Sequence, residues 1–333
     1  MSNLIQLQEQ FINIREKTRS GEIFQSLGDK IASVLNDAER DALTDIQLPQ
    51  NGEAALEIIK RYNRQSESSN TDHQNIYNVD MISDNDLLIV VQQLANPLPK
   101  FRDTGAFFFI SDVIQNDLIT EKQMHWLMAY LIDDTRLFGH IFEPNNDAIY
   151  QRSFAILVIS LLLFTHRTRK SFLTVNELDH VINKVALYAA LERDTRGFIG
   201  TNGWAHAFTH IANAIAELLM FPHLMRADKL FLLASMLAGY RELQQPLMMG
   251  ETERIVEVTN FSANKHAVYH DYVLLTLKLW RKDLVTRKPP QDEGRWHQMY
   301  NRTRFFNTLM LRGRDDVPEK IYAYIEQTRD FLT

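Results

Sequence analysis

Two histidines are spaced so that one helix would place both imidazole rings on the same face. His206 and His210 lie four residues apart in an alanine-rich stretch, and side chains at that spacing are roughly 6 Å apart. Imidazole is the most common metal ligand in proteins, so the pair could hold zinc if a third ligand came from elsewhere. The residue after His206 is Ala207, so the HExxH motif of zinc proteases is absent. Four side chains could supply the third ligand: Glu192, Asp194, His140 and Glu217.

The segment just before the histidines carries four charged residues within the five positions 192–196. Arg193 and Arg196 could each bind a carboxylate or a phosphate through paired N–H donors. Alternatively, the aspartate and arginine residues stabilise a turn, because the pattern Asp-Thr-Arg-x-Phe also occurs at 134–138. With a tryptophan as a stacking wall, the sequence predicts a ligand-binding groove. Its residues would be Glu192, Arg193, Asp194, Arg196, Trp204, His206 and His210.

A helix predicted at 203–220 must position the histidines, and its side chains form two stripes. The apolar stripe is predicted to face the core and consists of Trp204, Phe208, Ile211, Ile215 and Leu218. The polar stripe consists of His206, His210, Asn213 and Glu217. This second stripe would face either a groove, where it could bind a ligand, or the solvent.

Apolar residues recur at helical spacing along most of the chain, and glycine and proline are scarce at 12 and 9 residues. This pattern predicts an all-α fold. Thr120 with Gln123, and Thr174 with Glu177, are typical of capping boxes at helix starts. Helices are predicted at 84–95, 102–115, 121–133, 149–165, 175–192, 203–220, 226–243, 266–281, 296–311 and 317–331. The repeated Asp-Thr-Arg-x-Phe pattern favours stacked antiparallel helix pairs in a HEAT- or armadillo-like α-α superhelix.

The first 80 residues differ in composition from the rest of the chain. Three markedly polar helices are predicted there, at 3–18, 22–37 and 53–63. The stretch 65–80 is polar and aperiodic, which is typical of a loop or linker. We therefore predict an N-terminal helical extension at 1–80 and a superhelical domain at 81–333.

Composition excludes several classes of protein. The chain has no cysteine, which excludes disulfides and thiolate nucleophiles and agrees with a cytoplasmic location. The N-terminus has no apolar leader, and the most apolar run, 154–164, is too short to span a bilayer. We therefore expect a buried core helix there and no membrane partner.

The segment 281–314 suggests nucleic acid as an alternative partner. It holds nine Lys and Arg residues against three acidic ones. The aromatic residues among them are Trp296, Tyr300, Phe305 and Phe306. Basic residues interleaved with aromatic ones are typical of nucleic-acid surfaces. Because the formal net charge of the whole chain is −6, nucleic acid is the less favoured partner and is kept as an alternative.

Several short motifs together resemble the bacterial domain of unknown function 2785 family. They are Arg102-Asp103, Arg152-Ser153-Phe154, Glu192-Arg193-Asp194-x-Arg196-Gly197-Phe198, Gly203-Trp204-Ala205-His206-Ala207 with His210, and Asn301 with Arg304-Phe305-Phe306. The resemblance covers roughly 84–312. It implies a bacterial, cytoplasmic, helical protein and carries no catalytic assignment.

Three functions follow from these residues. The first is a binding or scaffold protein whose polar concave groove holds an acidic small molecule or peptide, without a cofactor. The second is a metal-dependent hydrolase or lyase that uses His206 and His210. The third is a nucleic-acid-binding helical-repeat protein. GxSxG, glycine-rich phosphate loops and the dinucleotide fingerprint are all absent, so the sequence does not decide whether the protein is an enzyme.

Overall fold

A computed structural model describes residues 2–71, 81–286 and 289–328, and these residues are mostly helical. Within those ranges no strand forms, and the extended pairing consists of an isolated bridge between Phe198 and Trp204. The all-α prediction is therefore confirmed.

Sixteen α-helices follow one another in the described ranges, and two 3₁₀ turns and one π-helical segment lie between some of them. The helices are α1 (Ser2–Arg19), α2 (Leu27–Asn36), α3 (Gly52–Thr71), α4 (Asp84–Gln92), α5 (Pro99–Phe101), α6 (Phe108–Gln115), α7 (Glu121–Ile132), α8 (Asp134–Leu137), α9 (Ala148–Thr168), α10 (Val175–Leu191), α11 (Ala207–Met220), α12 (Arg226–Arg241), α13 (Glu251–Lys265), α14 (Ala267–Thr286), α15 (Glu293–Arg312) and α16 (Glu319–Thr328). A π-helical segment spans Arg102–Phe107, and 3₁₀ turns lie at Gln93–Ala95 and Gly200–Asn202.

The chain divides into two compact units. Unit 1 comprises Met1–Asp41, Leu178–Gly197 and His206–Thr333, and unit 2 comprises Ala42–Glu177 and Phe198–Ala205. The segments of these units differ from the predicted domains, 1–80 and 81–333, and that domain division stays a prediction.

Unit 1 is organised around α12, where every residue from Leu230 to Tyr240 is buried. Gly239 lets α12 approach α10 closely, because a Cβ atom there would lie 2.2 Å from the carbonyl oxygen of Ala189. Arg15 of α1 is also buried and pairs with Asp228 of α12. A buried ion pair of this kind fixes the N-terminal helix to the core of its own unit.

Unit 2 is organised around α9, which contains the apolar run that the sequence predicted as a core helix. By length and composition α9 could cross a membrane, but 83% of its apolar window is buried inside the protein. That degree of burial is what the core helix of a soluble protein has. Both predicted capping boxes form in this unit, at Thr120 and at Thr174.

Some predicted bounds were wrong. The sequence predicted no helix at α13, and α11 begins at Ala207 instead of 203. Helix α3 continues to Thr71, so the predicted loop at 65–80 is wrong for 65–71; residues 72–80 lie outside the described ranges.

The two copies of Asp-Thr-Arg-x-Phe adopt different structures. The copy at 134–138 contains helix α8, whereas the copy at 194–198 has no helix. The pattern therefore does not mark a repeated turn, and the superhelix stays a prediction.

Candidate functional site

The predicted groove residues are divided between the two units. Trp204 belongs to unit 2, in a segment that we call the Trp204 loop, residues 198–205. The other six belong to unit 1. There the two histidines lie beside the start of α13, and we call this group the His206 cluster: Gly197, His206, His210, Met249 and Glu251.

The Trp204 loop is closed by its own backbone. Ile199 N donates to the carbonyl oxygen of Gly203 at 2.8 Å, and Phe198 pairs with Trp204 in the isolated bridge. Gly203 has φ of +71°, and a Cβ atom there would lie 2.9 Å from Cγ of Pro99. A side chain at this position is excluded by both backbone strain and contact.

Arg102 ties this loop to the rest of unit 2. Its guanidinium is fully buried, and Nη2 donates to the carbonyl oxygens of Asn202 at 2.7 Å and Trp204 at 3.1 Å. Nη1 donates to the carbonyl oxygens of Asn96 at 2.8 Å and Pro97 at 2.7 Å. One side chain therefore joins the turn at 96–97 to the loop about a hundred residues later.

Two aromatic rings of α9 complete the surroundings of Arg102. Its guanidinium carbon lies 4.2 Å from the ring centroid of Tyr150 and 4.8 Å from that of Phe154. Between these residues in sequence, Ser153 donates its hydroxyl to the carbonyl oxygen of Ala205. The loop end is thus held from the α9 side as well.

The result is a pair of half-exposed aromatic rings on a fixed loop. Phe198 is 51% exposed and Trp204 is 43% exposed, with their rings edge to face at 5.1 Å between centroids. The prediction that Trp204 lies on the core face was wrong, because α11 begins only after it. The other four members of that stripe are buried: Phe208, Ile211, Ile215 and Leu218.

Asp103 adds a carboxylate beside the loop. Its Oδ2 accepts from Arg102 Nη2 at 2.9 Å and would lie 3.7 Å from a Cβ atom at Gly203. The side chain is 23% exposed. Burial raises the pKa of Asp103, and the neighbouring Arg102 acts against that shift.

In unit 1, His206 is held at the start of α11 in a left-handed backbone conformation with φ of +56°. Its Nε2 donates to the carbonyl oxygen of Met249 at 3.1 Å and lies 3.6 Å from Oε1 of Glu251. Burial lowers the pKa of His206, whereas the Glu251 carboxylate acts to raise it. The ring is therefore predominantly neutral at pH 7.

Glu251 is the residue of this cluster that the sequence did not reveal. It is buried at the first position of α13, where Oε2 accepts from Met249 N at 2.8 Å. Within the described residues its Oε1 has no hydrogen-bond partner. A Cβ atom at Gly197 would lie 2.8 Å from that oxygen, so a larger residue there would displace the Glu251 side chain. The helical spacing of apolar residues in α13 could have revealed this helix, and with it Glu251 at its first position.

The polar stripe of α11 packs against α13. His210 is buried with its ring centroid 6.2 Å from that of His206. Farther along, Asn213 Oδ1 accepts from Arg254 Nε at 2.7 Å. Members of the stripe therefore make polar contacts beside α13, and whether the stripe faces a groove or the solvent stays a prediction.

Asn301 positions the chain segment that leads into α13. Its Nδ2 donates to the carbonyl oxygen of Gln245 at 2.8 Å, and its Oδ1 accepts from Leu247 N at 3.4 Å. Arg304 Nη1 also donates to Asn301 Oδ1 at 3.1 Å. The C-terminal motif thus has a structural part in placing Glu251.

The charges at 192–196 are used largely within their own turn. Glu192 Oε1 accepts from the amides of Arg193 and Asp194, each at 3.0 Å. Asp194 accepts several hydrogen bonds from Arg196, among them Nε to Oδ1 at 2.9 Å and Nη2 to Oδ2 at 2.6 Å. These contacts are those of a self-stabilised turn.

Arg193 is likewise bonded to backbone. Its Nη1 donates to the carbonyl oxygens of Ala190 and Glu192, each at 2.8 Å. Burial, followed by the neighbouring Arg40, lowers the pKa of Arg193 to about 10, so it stays charged at neutral pH.

The zinc hypothesis stays a prediction. In the described ranges no three His, Asp or Glu side chains come together as a metal-binding group. Of the proposed third ligands, Asp194 is bonded to Arg196, and His140 of unit 2 bonds to Glu143 at 2.7 Å. Glu192 accepts from its own turn.

The basic C-terminal segment divides into core and surface aromatics. Phe305 and Phe306 are fully buried, whereas Trp296 and Tyr300 are exposed and stack at 6.1 Å between ring centroids on α15. Nucleic-acid binding by this segment stays a prediction.

These clusters belong to an all-α protein of two units. A sequence profile of the family described as "Protein of unknown function (DUF2785)" matches residues 137–311, more than half of the chain. The chain therefore belongs to this family, and the resemblance noted in its motifs is confirmed. The matched range contains the Trp204 loop and the His206 cluster, but not Arg102 or Asp103. No curated protein and no solved structure matches the chain.

Proposed function

We propose that the protein is a binding protein and that the Trp204 loop is its recognition element. The observation that carries the proposal is the pair of half-exposed rings, Phe198 and Trp204, on a loop fixed by the fully buried Arg102. Aromatic side chains are enriched at the centres of binding interfaces. A soluble surface gains nothing in stability from leaving two large rings half in water.

The fixed geometry favours recognition. Ordering mobile side chains on binding costs about 0.5–1.5 kcal/mol for each, and rings that are already held avoid much of that cost. Covering the exposed halves of Phe198 and Trp204 would bury about 200 Å². At about 25 cal/mol per Å², that area corresponds to about 5 kcal/mol before the cost of association.

The acidic ligand inferred from the sequence has less support. The guanidinium of Arg196 is engaged with Asp194, and Arg193 donates to backbone carbonyl oxygens. An incoming carboxylate would have to displace these contacts. The acidic ligand therefore stays an alternative. The superhelical scaffold and the cytoplasmic location stay predictions.

A peptide panel with matched tryptophan variants tests the proposal. Three eight-residue peptides, one basic, one acidic and one uncharged apolar, are titrated by calorimetry into wild type, Trp204→Leu and Trp296→Leu. Trp296 is the matched control because it is 42% exposed and also lies beside another aromatic ring. Circular dichroism establishes that both variants fold.

We expect at least one peptide to bind wild type and Trp296→Leu equally and Trp204→Leu at least tenfold more weakly. Absence of binding at millimolar peptide would contradict the proposal. Binding that Trp204→Leu leaves unchanged would contradict it as well.

A further inference from the structure

The two units differ in formal charge. Unit 2 contains 17 Asp and Glu residues and 11 Lys and Arg residues, so it carries the full −6 of the chain. Unit 1 contains equal numbers of acidic and basic residues. The exposed rings of the Trp204 loop are therefore carried by the acidic unit, whose field attracts cations.

The charged side chains beside the loop also favour a cationic ligand. Asp103 reaches solvent, whereas its partner Arg102 is fully buried and donates to carbonyl oxygens on two sides. The nearby cation Lys100 is paired with Glu53 at 2.8 Å and lies over the ring of Phe101. In the Arg102–Asp103 pair, the carboxylate of Asp103 is therefore the charged group that is accessible to solvent.

The rings themselves favour a cation. The face of an aromatic ring carries negative partial charge, and tryptophan is the strongest of the three aromatic residues in binding cations. A carboxylate beside such a ring adds a hydrogen-bond acceptor for an N–H donor. Aromatic faces and a carboxylate together form the usual receptor for a guanidinium or an ammonium group.

We propose that the Trp204 loop binds a cationic group, a guanidinium or ammonium, which stacks on Trp204 and pairs with Asp103. This ligand class rests on the proposed function of the loop. The group could belong to an arginine or lysine side chain of a peptide or to a free small molecule.

Probes that are matched in shape but differ in charge test this class of ligand. An eight-residue peptide with three arginines is compared by calorimetry with the same peptide carrying citrulline, which keeps the shape and removes the charge. Free arginine amide is the third probe. The variants are Trp204→Leu, Asp103→Asn and, as the control, Asp112→Asn, which removes the same charge from an exposed position of unit 2.

We expect the arginine peptide to bind at least tenfold more tightly than the citrulline peptide. Asp103→Asn weakens it about tenfold and Asp112→Asn by less than twofold. Because Asp103 also pairs with the buried Arg102, circular dichroism at the titration temperature establishes that both variants are folded. Tight binding of arginine amide assigns the site to small cations, and a strong preference for the peptide assigns it to side chains.

Two results would overturn the cationic class and leave the proposed function standing. They are equal binding of the citrulline peptide, and Trp204-dependent binding of an acidic peptide. Failure of every probe to bind in a Trp204-dependent way would instead remove the proposed function itself.

Discussion

Arg102 places a full positive charge where no solvent reaches it. Four backbone carbonyl oxygens, Asp103 and two aromatic rings replace the lost water. A planar guanidinium holds five N–H donors in a fixed fork. A lysine ammonium is a compact group with three donors and cannot reach the same acceptors together. Arg102 is therefore a positioning residue for the Trp204 loop.

Replacing Arg102 by lysine is expected to lower the free energy of unfolding by about 3 kcal/mol, because several buried acceptors lose their donors. Urea unfolding followed by circular dichroism measures this change. Arg61→Lys is the control, since Arg61 is half-exposed and its ion pair with Asp86 contributes about 0–1 kcal/mol. An unchanged urea midpoint for Arg102→Lys would contradict the account.

His206 links stability to pH. Burial lowers its pKa below the ordinary 6.5, so between that value and the lowered pKa the unfolded chain binds a proton that the folded chain does not. Its contribution to stability is present above pH 6.5 and is lost as the pH falls through that window. Glutamine at position 206 can still donate to Met249 but does not titrate.

We therefore expect His206→Gln to lose less stability than wild type between pH 7.5 and pH 5.5. Urea unfolding at three pH values measures the difference. His223→Gln is the control, because it also replaces a histidine of unit 1, at an exposed position. Parallel curves for wild type and His206→Gln would refute this assignment.

At the scale of elements, α13 was missed although its buried positions have helical spacing. Thr252, Ile255, Val256 and Thr259 are buried at that spacing. They are β-branched, and such residues have low intrinsic helix propensity that tertiary packing overrides. Glu251 was missed with the helix, because an acidic residue is expected at the surface.

Local signals predicted most of the other helices correctly, whereas the Trp204 loop depends on distant residues. Thr120 and Thr174 reach only three residues along the chain, so their capping boxes could be predicted. The loop conformation instead depends on Arg102 and on Ser153, about 100 and 50 residues away. No periodicity at 198–205 could have predicted that Trp204 is exposed.

Close packing of α12 on α10 provides a prediction for these elements. Gly239→Ala would bring a methyl group against the carbonyl oxygen of Ala189, and we expect a loss of about 2 kcal/mol. Gly294→Ala is the matched control, because it also lies in a helix of unit 1 and its methyl group would come no closer than 3.2 Å to a neighbouring atom, in the Gln244 side chain. Thermal unfolding compares the two, and equal melting temperatures would contradict the described packing.

At the scale of the whole molecule, charge and aromatic exposure coincide in unit 2. That unit carries the net charge of −6 and the fixed Trp204 loop, whereas unit 1 is neutral overall and uses its charged signature residues in internal contacts. Family membership supplies no activity. The binding proposal therefore depends on the loop alone.

The most direct test follows the indole N–H signals of the four tryptophans by nuclear magnetic resonance during a titration with the arginine peptide. Each signal is assigned from a single Trp→Leu variant. The account predicts that the chemical shift of the Trp204 signal changes with peptide concentration until it reaches a plateau, while the signals of Trp126, Trp280 and Trp296 stay in place. A stationary Trp204 signal at a saturating concentration of peptide would contradict it.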